Sequence, residues 1–104
     1  MAKAADYIED VRRYDAGASE TVVQKIVDHL GSTLKSKDGS LVACSDQKEK
    51  DQIVKSWCEA KLGLSGDCSK IVDDICALMK EDHNKQRVTF YYLVAQHIGL
   101  LGQV

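Results

Sequence analysis

The stretch Asn84-Lys-Gln-Arg-Val-Thr-Phe-Tyr-Tyr-Leu-Val-Ala-Gln-His97 carries the strongest structural signal in this chain. Read as a helix at 100° per residue, its apolar side chains span a continuous arc of roughly 200°. Thr89, Gln96 and His97, with Leu93 among them, fall on the remaining side. A surface helix needs an apolar stripe only about half that wide. We therefore expect this helix to lie at the centre of the fold, with Thr89 on its least covered side. The arc comprises Val88, Phe90, Tyr91, Tyr92, Val94, Ala95 and Ile98.

Two helices are predicted in the first third of the chain. The first runs from about Lys3 to Tyr14 and is broken by the residues around Gly17. A second helix follows Ser19, a good N-cap residue, and ends at Gly31, which favours the left-handed region. Its β-branched stripe would also suit a strand, but the spacing of Val22, Val23, Ile26, Val27 and Leu30 fits period 3.6 and not period 2.

Two more helices are predicted between Gly31 and the stretch Asn84–His97. Asp46-Gln-Lys-Glu49 has the pattern of a capping box, in which Asp46 caps the helix and Glu49 reaches back to the cap amide. That third helix runs to about Lys61, with a glycine ending at Gly63. The fourth helix carries an apolar stripe at i, i+3, i+4, i+7 and i+8. The stripe comprises Cys68, Ile71, Val72, Ile75, Cys76 and Met79.

The length of 104 residues predicts one domain spanning residues 1–104. The five predicted helices, with mostly short links, make it a compact all-α bundle. The chain is 44% apolar and 29% charged, and its formal net charge is −2. This charge gives no general attraction to nucleic acid or to anionic membranes. No apolar run approaches the roughly 20 residues that span a bilayer. The N-terminus lacks an apolar signal core, so we expect a cytoplasmic protein.

The four cysteines are predicted to be free thiols. A reducing compartment disfavours disulfides, and Cys58, Cys68 and Cys76 fall on apolar helix stripes. No two cysteines have the C-x-x-C spacing of a zinc knuckle or a thioredoxin site. We therefore expect neither a structural metal nor a cofactor.

Four runs of the sequence form a recognisable set: Tyr7-Ile-x-x-Val11, Leu41-Val-Ala-Cys-Ser-Asp46, Lys61-Leu-Gly-Leu64 and Arg87-Val-Thr-Phe-Tyr-Tyr-Leu-Val-Ala95. Together they resemble the bacterial domain-of-unknown-function family 2853. The resemblance covers roughly Tyr7 to Gly99. It implies a bacterial, cytosolic, all-helical protein, and it brings no activity, cofactor, partner or site residue.

Cys44 is the first candidate site residue, because it alone among the cysteines lies off an apolar stripe and precedes a helix N-terminus. Helix amides lower a thiol pKa, but the Asp46 carboxylate opposes a second negative charge there. The alternative is a small apolar residue that anchors the loop.

A second group of candidates, His83, Lys85 and Arg87, lies with Lys80 around the last helix junction. These side chains can meet an acidic partner or a phosphate, and the start of the last helix offers free amides. Glu81 and Asp82 cancel much of the charge, so a solvated link is the favoured interpretation. His29 and His97 are predicted to have structural roles, at a helix C-terminus and at the edge of the core respectively.

These patterns predict a small non-catalytic interaction or regulatory module rather than an enzyme, because no converging acid–base set or phosphate loop is present. A protein partner or self-association is expected, and the apolar residues Leu100, Leu101 and Val104 are candidates for packing or for an interface. One alternative is a thiol-dependent redox or enzymatic role at Cys44. Another is nucleic-acid binding by a helix-turn-helix-like pair formed by the fourth and fifth helices, which the net charge disfavours.

Overall fold

Five α-helices make up most of the chain that the structure describes, which comprises residues 4–31, 34, 41–59, 63, 68–81, 85–97 and 99 of a computed structural model. They are α1 (Ile8–Arg12), α2 (Glu20–Leu30), α3 (Gln47–Ile53), α4 (Cys68–Leu78) and α5 (Arg87–His97). Within these residues there is no strand, only one isolated antiparallel bridge between Leu41 and Gln86. The radius of gyration is 12.3 Å, which is the size of a compact domain of this length. The all-α prediction is confirmed.

The N-terminal helix is shorter than its apolar pattern predicts. A 3₁₀ turn at Ala4–Asp6 precedes α1, and together they cover the predicted helix only as far as Arg12. Ala4, Ile8 and Val11 are buried, so the apolar face is used even though the helix is divided. The amide of Ala4 donates to the Gln24 side chain of α2 at 2.9 Å, which fixes the turn against its neighbour.

The second helix confirms the choice of period 3.6 over period 2. Val23, Ile26, Val27 and Leu30 are all buried on one face of α2. Ser19 occupies the N-cap position, but its side chain makes no capping hydrogen bond. Gly31 ends the helix with φ of +49° and ψ of −121°, a positive φ that side chains disfavour.

The third helix changes type along its length. After α3, the chain continues as a π-helical segment, Val54–Glu59. The Ser56 hydroxyl donates to the Gln52 carbonyl at 2.7 Å where the two segments join. Trp57 and Cys58 of the π segment are fully buried. The segment therefore directs the largest side chain of the protein into the core.

The last helix is buried on every side from Arg87 to Ala95, and it packs against α1, α2 and α4. The prediction that Thr89 lies on the open side is wrong: Thr89 is 0% exposed, and Leu93 is 2% exposed. The physical reason is a hydrogen bond of 2.5 Å from the Thr89 hydroxyl to the Asp10 carboxylate of α1. This bond satisfies the hydroxyl, so that α1 can cover the polar side of the helix. Gln96 and His97 remain exposed, as predicted.

A second carboxylate, that of Asp15 in the loop after α1, contacts α5 about one turn beyond Thr89. The Tyr92 hydroxyl donates to Asp15 Oδ2 at 2.6 Å, and the Gln96 amide donates to the same oxygen at 2.8 Å. Burial raises the pKa of the Tyr92 phenol, and the hydrogen bond to Asp15 and its negative charge raise it further. A neutral phenol therefore holds the loop after α1 against α5.

Candidate functional site

Arg87 is the candidate residue that the structure places in the most developed polar environment. Its guanidinium forms an ion pair with the Glu49 carboxylate and donates to the Leu41 carbonyl at 3.1 Å and to the Tyr91 hydroxyl at 3.5 Å. The residue is only 6% exposed. The prediction of a solvated link is therefore wrong for Arg87, because an anion and a carbonyl from other segments offset the desolvation of its charge.

The partner of Arg87 could not be identified from the local sequence pattern. Glu49 fits the capping-box spacing, and Asp46 does cap α3 by accepting from the Lys48 amide at 3.0 Å. The Asp46 amide, however, donates to the Ala43 carbonyl at 3.1 Å, which leaves the Glu49 carboxylate for Arg87. The two residues of this ion pair are 38 positions apart, and no periodic signal links them.

Of the other candidates at the last junction, Lys85 contacts the neighbouring segment through its backbone. The Lys85 carbonyl accepts from the Val42 amide at 2.8 Å, so its backbone anchors the loop that precedes α3. The Lys85 side chain is partly exposed. His83 lies outside the described residues, as do Leu100, Leu101 and Val104.

All four cysteines are paired, so the prediction of free thiols is wrong. Cys44 is bonded to Cys76, with 5.9 Å between the Cα atoms, and Cys58 is bonded to Cys68, with 6.4 Å between the Cα atoms. The pairs are nested, because α3 with its π segment and α4 form a hairpin that is cross-linked at both ends. Helical periodicity placed three of these residues on apolar faces but carries no information about which faces meet. A free Cys44 thiolate is therefore absent from this structure.

An open cavity of about 350 Å³ adjoins the buried ion pair, within the range of small-ligand sites. Residues from four segments contribute to it, which makes it a product of the tertiary fold. Its polar and aromatic lining comprises His29 of α2, Glu49 and Gln52 of α3, Ser56 of the π segment, and Arg87 and Tyr91 of α5.

Aromatic rings support one side of this cavity. The Trp57 ring lies between His29 and Tyr91, with centroid distances of 5.0 and 4.9 Å. Its indole N–H donates to the Tyr91 carbonyl at 3.0 Å, which fixes the ring in the core. The Arg87 guanidinium carbon lies 5.9 Å from the centre of the Tyr91 ring. His29 and Tyr91 therefore form an aromatic wall of the cavity beside its charged groups, and Trp57 packs behind them.

The two charged side chains in the cavity differ in their exposure to solvent. The Glu49 side chain is 24% exposed, whereas the Arg87 side chain is 7% exposed. Gln52 on the same helix is exposed. A molecule that enters the cavity therefore meets a carboxylate and a carboxamide before it meets the guanidinium.

The geometry gives no support to nucleophilic chemistry in the cavity. The Ser56 hydroxyl directs its proton to the Gln52 carbonyl within its own helix and not to a neighbouring base, as an activated serine would. His97, outside the cavity, is half exposed and lies 3.8 Å from Asp74. The arrangement of hydrogen-bonding groups around a preformed recess is typical of binding.

A family model described as "Protein of unknown function (DUF2853)" matches residues 6–101, which is nearly the whole chain and includes every residue of the cavity. No curated protein matches the chain. Within the described residues, no helix is long and apolar enough to cross a membrane. The chain belongs to the DUF2853 family of proteins of unknown function.

Proposed function

We propose that this chain is a non-catalytic binding module of the bacterial cytoplasm whose cavity receives a planar N–H donor group, such as a guanidinium or an amidinium. The observation that carries the proposal is the partly exposed Glu49 side chain, which lines the same cavity as Gln52 and the aromatic wall. Carboxylates accept two parallel N–H bonds from planar donors, which gives both affinity and orientation.

Charge balance is compatible with a cationic ligand. Arg87 and Glu49 compensate each other, so the floor of the cavity carries no formal net charge from this pair. The guanidinium is held by Leu41 and Tyr91 as well, and therefore Glu49 can share its carboxylate without leaving Arg87 unsatisfied. The exposed His29 ring adds a face on which a delocalised cation can stack.

The two alternative functions receive different support. Nucleic-acid binding through α5 is disfavoured, since Arg87 to Ala95 is buried and a recognition helix needs an exposed face for the groove. A thiol-based function requires reduction of a disulfide, because all four cysteines are paired. The donor group can belong to a free small molecule or to an arginine side chain of a protein partner, including another copy of this chain.

Benzamidine is a suitable probe, because it presents an amidinium on a planar ring. Trp57 is the single tryptophan, and its ring contacts His29 and Tyr91 of the cavity lining in tilted geometry, so its fluorescence should respond to binding. We expect a saturable change with a dissociation constant on the order of 1 mM, the range of a weak fragment. Benzoate, with the same shape and the opposite charge, should give no saturable change.

Two matched variants localise the effect. Gln52→Ala removes a lining carboxamide and should weaken benzamidine binding about fivefold or more, the equivalent of ~1 kcal/mol. Gln47→Ala removes the same side chain from the same helix but outside the cavity, and should bind as the parent protein does. Equal responses to benzamidine and benzoate, or equal effects of the two variants, would reject the proposal.

A further inference from the structure

We propose that the Cys44–Cys76 disulfide is an exchange site for dithiol reductants, whereas Cys58–Cys68 is a permanent structural bond. The two bonds cross-link the same hairpin at opposite ends, yet their surroundings differ. This inference concerns the reactivity of the protein and does not depend on the cavity binding a ligand.

Burial distinguishes the two bonds. Cys58 is 0% exposed and Cys68 is 3% exposed, and both belong to the core. Cys44 and Cys76 are each only partly buried at the edge of the core. Thiol–disulfide exchange requires a thiolate to approach a sulfur atom in line with the bond, so access controls the rate. A dissolved dithiol therefore reaches the Cys44–Cys76 pair without unfolding the domain, whereas Cys58–Cys68 requires the hairpin to open.

The exchange step conserves atoms and electrons. One thiolate of the reductant attacks the sulfur of Cys44 or Cys76, which forms a mixed disulfide and releases the other cysteine as a thiolate that takes a proton. The second thiol of the reductant then displaces the remaining cysteine and closes its own disulfide ring. Two electrons pass from the dithiol to the protein, which gains two protons and ends with two free thiols.

The bond is one of the attachments that hold the segment preceding α3, in which Val42 is also buried in the core. Cys44 lies in a turn between the Leu41–Gln86 bridge and the first residue of α3. On one side of it, the Val42 amide donates to Lys85, and the Leu41 carbonyl accepts from Arg87. Reduction leaves these hydrogen bonds and the burial of Val42 to hold the segment. Cys44 and Cys76 are 32 residues apart, whereas Cys58 and Cys68 are only 10 apart. Reduction of Cys44–Cys76 therefore removes the constraint on the longer of the two loops in the unfolded chain.

The redox conditions of the compartment determine whether the Cys44–Cys76 bond is formed or reduced. In the cytoplasm, a disulfide that a dithiol can reach is usually transient and redox-responsive, whereas the burial of Cys58 and Cys68 protects their bond from reduction. An accessible bond on the segment that carries Leu41 makes the order of that segment depend on the supply of dithiol. The buried bond keeps the α3–α4 hairpin closed in both states.

The test is partial reduction of the oxidised, folded protein with limiting dithiothreitol, followed by N-ethylmaleimide and peptide mass mapping. We expect Cys44 and Cys76 to be labelled together at least tenfold faster than Cys58 and Cys68. Hydrogen exchange at the Val42 amide should rise in the partly reduced protein, while exchange in α4 stays slow. The double variant Cys44→Ser/Cys76→Ser should lose the fast phase and keep the slow one.

Several results would overturn the proposal. They are equal labelling of the two pairs, earlier labelling of Cys58 and Cys68, and no labelling before global unfolding. Four reactive thiols in protein purified without reductant would do the same, because the bond would then not form. If the double variant fails to fold by circular dichroism, the labelling order in the parent protein still decides the question.

Discussion

Replacing Thr89 by valine tests whether the hydrogen bond to Asp10 is the reason that α5 is buried on its polar side. The substitution keeps a β-branched side chain and removes only the hydroxyl group. Thr89 is fully buried, and its hydroxyl lies 2.5 Å from the Asp10 carboxylate. The bond connects residues 79 positions apart, so it joins the first and last helices of the domain.

The expected cost follows from the environment of the acceptor. A hydrogen bond to a charged group contributes ~1.5–3 kcal/mol to stability. The Asp10 side chain is 15% exposed and keeps Arg13 at 2.6 Å, so its carboxylate is not left without partners. We therefore expect Thr89→Val to cost about 2 kcal/mol, which for a domain of this size lowers the melting temperature by about 8–16 °C. Thr89→Ser, which keeps the hydroxyl and loses one methyl group, should cost about 1 kcal/mol.

Urea unfolding of the oxidised protein measures these differences, and a double-mutant cycle with Asp10→Ala isolates the pair. We expect a coupling energy of about 1.5–2 kcal/mol between positions 10 and 89. A cost of Thr89→Val below ~0.5 kcal/mol, the range of ordinary surface substitutions, would refute the reasoning. A coupling energy of zero would also refute the reasoning, because the burial of Thr89 would then not depend on its hydrogen bond to Asp10.

Two further predictions concern the other polar contacts of α5. Glu49→Gln removes the anion beside the buried Arg87 and should lower the free energy of unfolding in urea by about 3 kcal/mol, the low end for a broken buried pair because Glu49 is partly exposed. Asp51→Asn, on the exposed side of α3, should change the free energy of unfolding by less than ~0.5 kcal/mol. Similar costs for the two variants would contradict the buried ion pair. Tyr92 has a pKa raised above its unfolded value of 10.0, so its contribution is complete below pH 10 and declines above it, where the unfolded chain ionises first. The stability advantage of the parent protein over Tyr92→Phe should therefore shrink by about 0.8 kcal/mol between pH 8 and about pH 10.5, and an advantage that stays constant would argue against a neutral buried phenol.

The helices themselves were predictable because their signals are local. The stripe Val23, Ile26, Val27 and Leu30 repeats every three to four residues, and it became the buried face of α2. The same holds for Val72 and Ile75 in α4. Asp46 was recognisable as a cap, because capping depends on residues within one turn. Hydrophobic periodicity and helix capping both depend on residues that lie within a few turns of each other along the chain.

The cavity was only partly predictable, because its residues come from different elements. Arg87 was a candidate on the basis of charge, but its partner Glu49 fits a local capping pattern equally well. His29, Gln52 and Ser56 had no distinguishing signal, and the aromatic wall depends on how Trp57 of the π segment meets α5. A recess exists only where separate surfaces fail to close, and sequence periodicity does not report that.

The all-α class and the apolar faces of most of the described helices follow from the sequence, since backbone hydrogen bonding and amphipathic spacing are short-range properties. Tertiary structure alone decided which polar groups are buried and which cysteines are paired. Thr89 and Arg87 lie inside because Asp10 and Glu49, 79 and 38 residues away, supply the acceptors. Cys44 meets Cys76 because α3 and α4 fold back on each other. A buried polar group or a thiol pair requires a partner in three dimensions, and the distance along the chain to that partner is set by packing and not by any local pattern.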